Sequence, residues 1–89
     1  SLDNKPYLAV DSQGRVYVTD PEGYRVIVFS PRGEPLAVFG QYGPEDDSFG
    51  LPVGLAIGKD ESLWVVDTGN NRLEKFEAWD SSQLPMEVK

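Results

Sequence analysis

Two carboxylate and guanidinium pairs recur at fixed spacing in this chain, Asp20 with Arg25 and, 47 residues later, Asp67 with Arg72. Each pair flanks a short polar turn. A carboxylate in that place can accept turn N–H groups and pair with the arginine that opens the next strand, so the expected role is to hold the turn rather than to touch a ligand. Glu45, Asp46 and Asp47 form the one dense acidic run. They are the only candidate metal ligands, for a hard cation such as Ca²⁺, which wants several converging oxygens. Three consecutive carboxylates splay apart, so a solvated loop is expected and no metal is assigned. Tyr17 and Trp64 are large aromatics at equivalent places. They can serve as a stacking platform for a sugar or peptide, or as packing, and packing is the expected use.

The chain has 89 residues with neither cysteine nor histidine. Thiolate metal sites, thiol nucleophiles, disulfides and the commonest general base are therefore excluded. Serines and threonines have no histidine to activate them, and no Gly-x-Ser-x-Gly elbow occurs. Lys5, Lys59, Lys75 and Lys89 lie in no apolar stretch that would depress an amine pKa. The sequence carries no catalytic constellation and implies no cofactor. Neither absence assigns a compartment.

The elements that position these residues come from a repeat. LAVDSQGRVYVTDPEGYRVIVF (residues 8–29) and LAIGKDESLWVVDTGNNRLEKF (residues 55–76) align without a gap over 22 positions. Six residues are identical and four are close swaps, on apolar positions and on the fixed Asp and Arg. A period of roughly 40–50 residues with several short strands per unit is the signature of propeller blades. Strand signals dominate, and no helical period of useful length occurs, so the class is all-β.

In the first unit, strands are expected over residues 7–11, 15–19, 25–29 and 35–39. In the second they are expected over 53–57, 63–66 and 72–76, with residues 84–88 as the candidate fourth strand, an edge strand because of Pro85. Connectors rich in Gly, Pro and acidic residues make each unit an antiparallel meander. Domain bounds follow: residues 1–52 hold the first unit and its connector, and residues 53–89 the second. Val26 and Val28 point to one face of their strand, Ile27 and Phe29 to the other. A sheet apolar on both faces must be sandwiched, and Tyr17, Val26, Ile27, Val28, Phe29, Trp64, Leu73 and Phe76 are expected to pack between units. Glu74 and Lys75 replace Ile27 and Val28, so the second unit is expected to be wetter toward its outer edge.

The string FGQYGPEDDSFGLPVGLAI, followed by VVDTGNNRLEKF, resembles the NHL repeat: an FG, an acidic connector ending in Phe, a Pro with a Gly two residues on, and an Asp-x-Gly-Asn-x-Arg turn. The resemblance runs over residues 6–76. The first unit departs from it at Asp20-Pro21-Glu22-Gly23-Tyr24-Arg25, which lacks the Gly-Asn-Asn of the second. What the resemblance implies is two four-stranded antiparallel blades of a β-propeller, commonly six-bladed, whose loops bind proteins and in some members RNA. Other six-bladed propellers are enzymes, calcium-dependent hydrolases or lyases. A fragment of such an enzyme, with its active residues in absent blades, is therefore the competing reading, and glycan binding through the aromatics a third.

Propellers close with about 4 to 8 blades, so two blades are expected to complete a ring by self-association, three chains giving six blades. The partners expected are thus copies of this chain, together with protein or peptide ligands. A formal net charge of −7 argues against nucleic acid. No uninterrupted apolar run exceeds four residues, as in Val26-Ile27-Val28-Phe29, far below the roughly 20 a helical membrane span needs. No basic segment precedes an apolar one, so any targeting signal is expected outside these residues.

Overall fold

A computed structural model describes residues 5–40, 43 and 48–77. Strands β1 (Leu8–Val10), β2 (Val16–Asp20), β3 (Arg25–Phe29) and β4 (Pro35–Phe39) form one antiparallel sheet in chain order, and β5 (Pro52–Ile57), β6 (Leu63–Asp67) and β7 (Arg72–Phe76) form a second. The all-β reading and the meander order hold, with strand limits within a residue or two of those expected. The second sheet has three strands among the described residues. Its candidate fourth strand, residues 84–88, lies outside them.

The strands are set by alternation and by the turns between them. In β2 and β3 every second residue is buried, giving Tyr17 opposite Val28 and Thr19 opposite Val26 on one face. Val18 and Ile27 pair on the other face and are only half-buried. The connection from β2 to β3 is a 3-10 turn, Pro21–Gly23, rather than a simple β-turn, with Asp20 as its cap and Tyr24 left-handed at φ 56°. Proline at the first position suits such a turn, because its missing N–H has no partner there in any case.

The two sheets stack. Tyr17, Val26, Val28 and Ala37 of the first sheet meet Leu63 and Val65 of the second and Phe49 of the connector in one buried cluster, with Phe39 and Phe76 at its margin. The Phe76 ring sits 5.1 Å from that of Phe39 and 5.8 Å from that of Phe49, tilted against both, the arrangement aromatic pairs favour. Each fully buried valine contributes on the order of 1.5–3 kcal/mol. Among the described residues, only one face of each sheet is covered in this way.

Glu74 departs from the expected wet outer edge. It lies on the inner face opposite Val65 and is 8% exposed. Burial is tolerated because Oε2 accepts from Arg72 Nε at 3.1 Å, and Arg72 in turn donates through Nη2 to the Ser48 carbonyl. Lys75, one residue on, takes the outer face.

Candidate functional site

The two turn carboxylates differ in depth. Asp20 Oδ1 accepts from Gly23 N at 3.2 Å and Oδ2 from Arg25 Nε at 2.8 Å, at a partly exposed site. Asp67 is fully buried, and it gathers donors both from the connector and from its own turn. Gly50 N reaches both carboxylate oxygens at 3.0 and 3.1 Å, Leu51 N reaches Oδ1 at 2.7 Å, and Asn70 Nδ2 reaches Oδ2 at 2.9 Å. Asn70 Nδ2 also donates to the Gly43 carbonyl. Burial pushes the Asp67 carboxyl up, but the donated amides outweigh it and hold it below its ordinary value. Asp67 therefore staples the incoming connector to the β6–β7 hairpin.

The staple needs two glycines. A Cβ on Gly69 would stand 2.5 Å from Leu51 N, and one on Gly50 would stand 2.8 Å from the Gly69 carbonyl carbon. The backbones cross where no side chain fits.

A second carboxylate hub, Asp11, escaped the sequence reading. Its oxygens accept from Gln13 N, Arg15 N, Arg15 Nε at 2.7 Å and the Tyr17 hydroxyl at 3.0 Å. Burial opposes its charge, and the Arg15 and Tyr17 hydrogen bonds more than offset that. The Tyr17 hydroxyl is pushed up to about 12, by burial first and by Asp11 next. An Asp opening a turn, with its acceptors aimed two residues ahead, was the available signal. The Ser12 to Glu61 link, in which the Ser12 amide donates to Glu61 Oε1 at 2.9 Å, ties the equivalent turns of the two units together.

Among the expected packing residues, Tyr17, Val26 and Val28 are buried between the sheets, and Phe76 is half-buried there. Ile27 and Phe29 are half-buried on the opposite face of β3. Trp64 and Leu73 lie on the face of the second sheet turned away from the first, Leu73 58% exposed. The Trp64 ring carries the Lys75 ammonium at 5.3 Å, and that ammonium lies 3.5 Å from Asp60 Oδ2. Glu45, Asp46 and Asp47 lie outside the described residues. Among the described residues no three acidic side chains converge as a metal site would require, and no helix is long and apolar enough to cross a membrane.

The chemistry on display is thus that of surfaces: two stacked sheets, stapled turns, and open apolar faces. The NHL repeat model matches residues 49–76. NHL repeat-containing protein 3 of Mus musculus is 30% identical over 91 residues, an alignment covering 90% of this chain and 26% of that protein. The protein of the same name from Homo sapiens is 30% identical over 79 residues, covering 85% of this chain and 23% of that protein. The chain spans about a quarter of the length of the curated relatives it matches.

Proposed function

Because this chain carries an NHL repeat over residues 49–76, we propose that it acts as a non-catalytic protein-interaction scaffold, two consecutive propeller blades whose copies assemble into a ring. Three chains of two blades give the favoured six-bladed ring. The observation that carries this reading is the stacking of two repeat units around one cluster, with large apolar side chains left open on the outward faces, Leu8 64% and Leu73 58% exposed. Repeat units of this kind gain stability from neighbours, and both outward faces of this stack present apolar surface that a neighbour would cover. The ring would present its turns on a flat face to protein or peptide ligands, with the acidic charge of the chain disfavouring nucleic acid. Light scattering tests the assembly. A particle of three times 9.9 kDa is expected, and a cooperative monomer persisting up to millimolar concentration overturns it.

A further inference from the structure

The 47-residue offset relates the interface buried inside the chain to the two faces left open. On the first sheet's side of that interface, Thr19 and Val26 are both 0% exposed. The residues at the same repeat positions in the second unit, Val66 and Leu73, are 42% and 58% exposed. On the second sheet's side, Leu55 and Ile57 pack against the core. Their counterparts in the first unit, Leu8 and Val10, are 64% and 53% exposed. Each open face therefore repeats one half of a contact that the chain already makes.

We propose that these two faces bind each other between copies: the Val66 and Leu73 face of one chain seats on the Leu8 and Val10 face of the next, head to tail, in the register of the internal interface. The proposal rests on the self-assembly reading above and adds the surfaces, their polarity and the residues. Burying contiguous apolar area is the main driving force of association. The open half on the first unit is the more apolar of the two versions, since Ile27 stands where the internal interface must bury Glu74. No carboxylate stands in the place of Glu74 there, which removes one cost the internal contact bears, and Asp20, at the repeat position of Asp67, already accepts from Gly23 N and Arg25 Nε. Lys75 replaces Val28 on the other half. Its ammonium is held by Asp60 at 3.5 Å and by the face of Trp64 at 5.3 Å, and a long lysine side chain can keep its charge at the rim of a contact while its methylenes are covered. A contact between two different patches is heterologous, and it closes into a ring when the rotation per chain permits.

Two singly blocked variants test the polarity. Leu73→Arg blocks one face and Val10→Arg the other, and both residues are exposed within the chain, so each variant is expected to fold. Sedimentation velocity should show each variant alone as a 9.9 kDa monomer. An equimolar mixture should give a heterodimer and nothing larger, because one intact pair of faces remains. Far-ultraviolet circular dichroism checks folding, and Val66→Arg with Leu8→Arg replaces any variant that fails it. A mixture that stays monomeric while the unmodified chain assembles overturns the head-to-tail pairing. So does a single variant that still assembles like the unmodified chain. An unmodified chain that is monomeric at every concentration overturns the self-assembly reading itself, and points to neighbouring blades of a longer chain as the cover for both faces.

Discussion

Asp67 accepts the backbone N–H of Leu51 at 2.7 Å although the two are 16 residues apart in the chain. With the Gly50 amide and the Asn70 side chain on the same carboxylate, this bond decides where the connector enters the second sheet. Hydrogen bonds to a charged group are worth about 1.5–3 kcal/mol each, and their donors would be left buried without a partner. Asp67→Ala should therefore destabilise the fold by about 3 kcal/mol or more, a fall in Tm of roughly 10 °C or greater for a domain of this size. Asp20→Ala, at the partly exposed equivalent, should cost about 1 kcal/mol or less. Thermal denaturation of both variants measures the contrast, and equal losses would count against the connector staple.

Gly69→Ala tests the crossing beneath that staple. The added methyl would meet backbone, 2.5 Å from Leu51 N, and backbone cannot rotate out of the way as a flexible side chain can. Strain of this kind is expected to cost about 2 kcal/mol or more. Gly33→Ala, where no atom lies within 4 Å of the new Cβ, should cost only the strain of its left-handed backbone, about 1–2 kcal/mol. Urea denaturation midpoints would rank the two.

Asn71 and Tyr24 occupy the same position of the repeat and share a left-handed backbone, at φ 54° and 56°. Asparagine tolerates that region and alanine does not. Since Asn71 is exposed, Asn71→Ala should lose about 1 kcal/mol with little lost packing, while Asn71→Gly should be neutral or slightly stabilising. Chemical denaturation of the pair reads the difference directly, and an Asn71→Ala chain as stable as the parent would contradict the assignment.

Local signals made most of the fold legible. Val26 and Val28 alternate with Ile27 and Phe29, and the Gly and Pro turns bound each strand, so strand limits followed from neighbours in the chain. What escaped depends on residues distant in sequence. The connector partners of Asp67 lie 16 and 17 residues upstream, and nothing in the turn itself points to them. Tyr17 and Trp64 show the same limit from another side. They are equivalent in the repeat, yet Tyr17 is buried because a second sheet lies over it, while Trp64 is on the face turned away from the first sheet and carries the Lys75 ammonium over its ring. Periodicity assigns a residue to a face, and the neighbour that covers the face is a property of the assembly.

Glu74 and Asp67 should move stability in opposite directions with pH. Burial, aided by the neighbouring Asp67 charge and resisted by Arg72, raises the Glu74 carboxyl above its ordinary 4.5. A group raised in the folded state stabilises the fold below its unfolded value, and that contribution is lost as pH climbs through the folded value. Asp67 is held below its ordinary 3.8, so its contribution is present above that value and is lost as pH falls through the folded one. At pH 7 the ionised Glu74 is therefore a burden, and its Oε1 is buried without a hydrogen-bond partner. Glu74→Gln keeps an acceptor for Arg72, removes the buried charge and supplies an amide N–H that can donate toward Asp67. The variant should be more stable than the parent at pH 7, and its advantage should shrink as pH is lowered to about 4.5. Urea denaturation at the two pH values measures it. An advantage of the same size at both would mean that ionisation of Glu74 is not what burial opposes.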